Sequence, residues 1–125
     1  MAEFFKNKNF IGAFGRATIK RTIQISEYAI INLDNSIGPD THGVCYYDNY
    51  SFDPFGMPPP IKVIKHTKDI QCNGIQYQAT KSVLYWYYCL YFLKRLNDGC
   101  KIYDILYIDF DYKNPMKNES MLNNF

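Results

Sequence analysis

The chain is 125 residues long with a formal net charge of +2, and 21% of its residues are charged against 47% hydrophobic. That length fits one small core, and the charge balance is too slight to argue for a nucleic-acid partner by itself. Twelve tyrosines and nine phenylalanines supply large rings, so even a short chain can bury a substantial apolar area.

The opening residues, Met1 to Lys6, place no apolar stretch behind a basic start, which argues against a secretory signal. Tyr28 to Leu33 is short and rich in β-formers, and the turn-forming run from Asp34 to Asp40 follows it. Thr41 to Tyr47 is a second strand candidate, closed by an Asp48-Asn49 turn. Ser51 to Asp53 is a third, stopped by Pro54 and by Pro58 to Pro60. Tight connections between three short strands predict an antiparallel meander. Ile61 to His66 is expected to make one or two helical turns, with His66 a solvated residue at its end, and Asp69 to Gln78 to make short extended pieces around Asn73-Gly74.

From Ser82, a candidate N-cap, the run to Leu96 is apolar nearly all round and predicts a buried helix, stopped by Asn97-Asp98-Gly99. Its most apolar part, Ser82 to Leu93, is too short for a membrane span, which needs roughly 20 residues. Lys101 to Tyr107 predicts a further short helix, and the polar segment 113–125 a loose tail behind a single domain of residues 1–112. Strands followed by a central buried helix give an α+β class, a small mostly antiparallel sheet on that helix. The four cysteines, Cys45, Cys72, Cys89 and Cys100, have no C-x-x-C spacing. No metal and no cofactor are expected, and a reducing intracellular setting is the simplest one.

Several pieces, taken in order, carry a resemblance. They are Phe10-Ile11-Gly12-Ala13-Phe14, Ile30 to Asp34, Gly38-Pro39-Asp40-Thr41-His42, Phe52-Asp53-Pro54-Phe55-Gly56, and Gln78 followed by Ser82 and Tyr87 to Leu90. Together they resemble the adenain-like (adenovirus-type) cysteine proteases of viruses and virus-like DNA transposons, over roughly residues 4 to 107. The resemblance implies a papain-like fold. In such a protein a histidine takes the proton of a cysteine, an acid orients that histidine, and an upstream glutamine helps hold the oxyanion. By motif, His42 matches the base, Asp53 the orienting acid and Gln78 the oxyanion glutamine. The nucleophile position, seven residues after Gln78, holds Tyr85, and Trp86 stands where the family has glycine.

A phenol ionises near pH 10 and a thiol near 8.5, so the substitution is expected to abolish peptide cleavage. The tryptophan that follows the family's histidine is Gly43 here, which removes one wall of the cleft, and Trp86 is a candidate to refill it. Cys89, one turn beyond Tyr85, is expected to point into the core, and Cys45 to the opposite strand face from His42. The resemblance therefore implies an inactive homologue of a viral maturation protease, whose cleft binds an extended peptide or a capsid or scaffold protein. The alternatives are an active cysteine endopeptidase processing viral structural proteins, and a purely structural minor virion protein. An intracellular or virion-associated location, no membrane partner and a weak inherited DNA affinity belong to the same expectation. The ring run Tyr85 to Tyr88 could stack bases, but core packing accounts for most of these rings.

Overall fold

The computed structural model of the chain describes residues 28–32, 42–47, 50–58 and 70–125, together with the backbone of 10–15. The expected turns at 34–40 and 48–49 and the helical turns at 61–66 lie outside the described residues. The protein is mixed α+β. Among these residues an open five-stranded sheet runs in the order β1 (Phe10–Gly15), β2 (Tyr28–Asn32), β3 (Gly43–Tyr47), β4 (Tyr50–Phe52) and β5 (Gln71–Cys72).

The meander expected from the sequence forms the centre of this sheet. β2 pairs antiparallel with β3, with Ile30 opposite Cys45, and β3 pairs antiparallel with β4, with Cys45 opposite Phe52. The outer pairs, β1 with β2 and β4 with β5, are parallel. The sheet is therefore mixed rather than mostly antiparallel. Parallel partners cannot be joined by a tight turn, so neither outer pair leaves a hairpin signal in the sequence.

β2 is apolar and buried from Tyr28 to Ile31 because both sheet faces are covered. Tyr28 and Ile30 enter the main core with Cys45, Tyr50 and Phe52, while Ile31, Val44 and Tyr46 form a second buried cluster on the other face. The main core is completed by α1 (Tyr85–Asn97), whose buried residues are Tyr85, Tyr88, Cys89, Phe92, Leu93 and Leu96. Their spacing of three and four residues makes one stripe. Tyr87 on the opposite face is exposed. The helix is thus buried along one face, not all round as its composition suggests, because bulky rings populate both sides of it. Phe92 stacks on Phe52 with centroids 4.3 Å apart, which holds the helix to β4.

Ser82 does not cap α1 itself. Its hydroxyl accepts the Leu84 amide at 3.1 Å, in a turn that precedes the helix by two residues. At the other end Gly99 adopts φ +94° and donates to Leu96 O at 3.0 Å, the stop expected from Asn97-Asp98-Gly99.

α2 (Ile102–Asp104) runs directly into a wider π-type turn over Ile105–Asp109, closed by Phe110 N donating to Ile105 O at 2.9 Å. The last segment is no loose tail. Asn114 caps α3 (Pro115–Asn123), with proline at its first position. Leu122 enters the main core. Asn118 is buried and donates to Tyr77 O at 3.1 Å and to Asp111 O at 2.8 Å. Glu119 meets the Tyr88 hydroxyl. A polar segment can pack in this way because its buried polar atoms find partners.

Candidate functional site

Asp53 follows β4 and opens the turn Asp53-Pro54-Phe55-Gly56, closed by Gly56 N donating to Asp53 O at 2.8 Å. Glycine is required at the end of this turn. Its φ is +76°, and a Cβ there would stand 2.7 Å from the carbonyl carbon of Ile75. The Asp53 side chain is buried at 1% exposure. One carboxylate oxygen accepts the Phe55 amide at 2.8 Å, and the other meets His42 Nε2 at 2.9 Å. His42 lies just ahead of β3, a quarter exposed, with its ring edge-on to Phe55 at 5.3 Å. Two residues eleven apart in sequence therefore form a buried acid with a partly exposed base. That is the arrangement that orients an imidazole for proton transfer.

Asn73 holds the acid in place, a role that sequence reasoning did not assign. Its side chain accepts the Asp53 amide at 3.0 Å and donates to Asp53 O at 2.6 Å and to Ile75 O at 2.9 Å. The only sequence signal was the Asn73-Gly74 turn pair, which says nothing of a partner twenty residues away. Replacing Asn73 with alanine leaves the Asp53 amide and two carbonyls without these partners, and is expected to cost about 2 kcal/mol in urea unfolding.

Gln78 is joined to the same turn. Its amide and that of Tyr77 both donate to Pro54 O, at 2.9 and 2.7 Å. Its side chain is buried and turned inward, with Nε2 donating to Ser82 O at 2.9 Å and Ser82 Oγ at 3.3 Å. Oε1 has no hydrogen-bond partner among the described residues. Its two amide protons are thus spent on Ser82 rather than directed at an incoming oxyanion.

Tyr85 opens α1 and is 2% exposed. A Cβ placed on Gly43, the residue after His42, would overlap the Tyr85 ring. The ring therefore occupies the volume above β3 that a side chain at position 43 would take. It is the Tyr85 ring, not Trp86, that lies nearest to this volume. Trp86 stands edge-on to Tyr85 with centroids 6.4 Å apart and remains half-buried.

Cys45 and Cys89 are both fully buried. Burial, and next a hydrogen bond with Cys89, push the Cys45 thiol well above its ordinary value. Neither thiol reaches solvent beside His42. All four cysteines are free, and Cys72 is exposed. No cluster of three or more metal-ligating side chains occurs among the described residues. None of the described helices is long and apolar enough to cross a membrane. No family model, curated protein or solved structure matches the chain.

Proposed function

We propose that this domain is an adenain-like pseudoprotease, a papain-type scaffold that binds an extended peptide or a capsid or scaffold protein without cleaving it. The observation that carries the reading is the His42–Asp53 pair at 2.9 Å beside a buried tyrosine at the head of α1. A base and its orienting acid are assembled, yet the group in the nucleophile's place is a phenol packed against glycine. Attack on a carbonyl needs a nucleophile that the substrate can reach, and a phenol buried over Gly43 is out of reach.

The surroundings of this pair favour an apolar extended ligand. Phe55 touches His42, and Met57, two residues further along the chain, is exposed. Aromatic and methionine side chains at a surface make adaptable anchors for peptide side chains. Weak DNA affinity and a virion-associated location belong to the same reading and follow from its proposed ancestry.

Binding of the purified protein to an array of peptides from viral structural proteins tests the proposal. The expected result is uncleaved binding that weakens about 30-fold in Phe55→Ser and in Trp86→Ala, the size of a lost hot-spot contact. Cleavage sensitive to thiol alkylation would show an active endopeptidase instead. Unchanged affinity in both variants would remove the cleft from the binding surface.

A further inference from the structure

The segment Lys101 to Asp109 is apolar on both of its sides, yet only one side is packed. Ile105 and Leu106 are buried in the main core, whereas Tyr103 and Ile108 are 72% and 75% exposed and Tyr107 is half exposed. The exposed rings form a continuous surface. Tyr103 stacks on Tyr107 with centroids 6.0 Å apart, and Tyr107 meets Tyr112 edge-on at 6.1 Å. A helix that is hydrophobic all round is ordinarily covered all round. Contiguous exposed aromatics of this kind mark interaction surfaces. The π-type turn at Ile105–Asp109 lies at the centre of the patch, and such turns gather at functional positions.

The charges around the rings select the partner. In the chain, Lys101 and Asp104 flank Tyr103, and Asp111 and Lys113 flank Tyr112, so each sign is present twice among these four. A nucleic acid or a strongly acidic or basic protein would find nothing complementary to it. Lys101 and Asp104 are both exposed and make no ion pair among the described residues. A surface with apolar rings at its centre and equal opposite charges at its rim is complementary to a copy of itself turned through a two-fold axis.

We infer that the Tyr103–Tyr107–Tyr112 face is a two-fold interface through which two copies of this chain associate. Aromatic rings of one copy pack on those of the other, and Lys101 and Asp104 exchange partners across the axis. This surface is separate in residues from the His42 cleft, so its failure would leave the peptide-binding reading untouched.

Sedimentation velocity on the full chain, over about 1 to 100 µM, tests the inference. The natural chain should sediment as a dimer at the upper concentrations. The double variant Tyr103→Ser, Tyr107→Ser should remain a monomer throughout, with unchanged circular dichroism because both residues are exposed. Asp104→Lys, which makes the rim basic, should weaken association about tenfold or more. Adding Lys101→Asp to that chain should restore it, since the exchanged charges are again complementary to themselves. A natural chain that stays monomeric, a dimer that survives the double tyrosine variant, or a charge exchange that restores nothing would each overturn the inference.

Discussion

Replacing Tyr85 with alanine is expected to destabilise the protein by about 3–5 kcal/mol, the range for deleting a buried aromatic ring. In thermal unfolding this corresponds to a fall of on the order of 10–20 °C for a domain of this size. The ring is 2% exposed and fills the volume over Gly43 between β3 and the first turn of α1. Truncation leaves a cavity that cannot close by a small shift, because α1 is held further along by Phe92 stacked on Phe52. Set against a total stability of about 5–15 kcal/mol, this one side chain supports a large share of the fold.

Coupling between positions 43 and 85 separates a packing role from a merely local preference. In the natural chain, Gly43→Ala drives a methyl into the Tyr85 ring and against Ile31 O at 2.8 Å. In a Tyr85→Ala background the overlap with the ring is gone, so the same substitution should cost less by about 1–3 kcal/mol. A double-mutant cycle that closes to zero would show that the ring does not own this space. The same geometry bears on any attempt to place a thiol at position 85. Tyr85→Cys removes most of the ring, so an absence of cleavage is informative only on protein shown to be folded.

The sequence made the acid and base legible because both sit in short motifs whose spacing survives translation into strand and turn. His42 precedes β3 and Asp53 follows β4, and the antiparallel pairing of the two strands brings residues eleven apart into hydrogen-bonding distance. Three features left no such trace. Asn73 clasps Asp53 through a side chain, and a single contact between distant residues has no periodicity to read. The parallel pairing of β1 with β2 joins strands that no short turn connects. α3 reads as a polar tail because the groups that anchor it, Asn118 and Glu119, are themselves polar. Their burial is decided by partners on Tyr77, Asp111 and Tyr88, not by their own hydropathy. Tyr85 is an intermediate case. Its place in the helix was evident, but its overlap with the space over Gly43 emerges only when helix and strand are packed together.

The abundance of buried phenols carries a second large consequence, a steep loss of stability in alkali. Burial pushes Tyr77 and Tyr91 up to about 12, with an Asp109 hydrogen bond adding to the effect at Tyr91. Burial likewise raises Tyr46, Tyr50 and Tyr88, and at Tyr88 the contact with Glu119 adds to it. In the unfolded chain a phenol releases its proton near pH 10. Below that pH both states are protonated and the stability is complete. Between pH 10 and about 12 the unfolded state binds fewer protons than the folded one, so stability falls as pH rises. Each such tyrosine adds up to about 1.4 kcal/mol per pH unit to that slope. Five acting together would exhaust a stability of about 5–15 kcal/mol within one to two units. The rise of tyrosinate absorbance should therefore include a cooperative phase above pH 10 that coincides with loss of circular dichroism. Complete ionisation of all twelve tyrosines with the dichroism intact would mean that water reaches the phenols of the folded core.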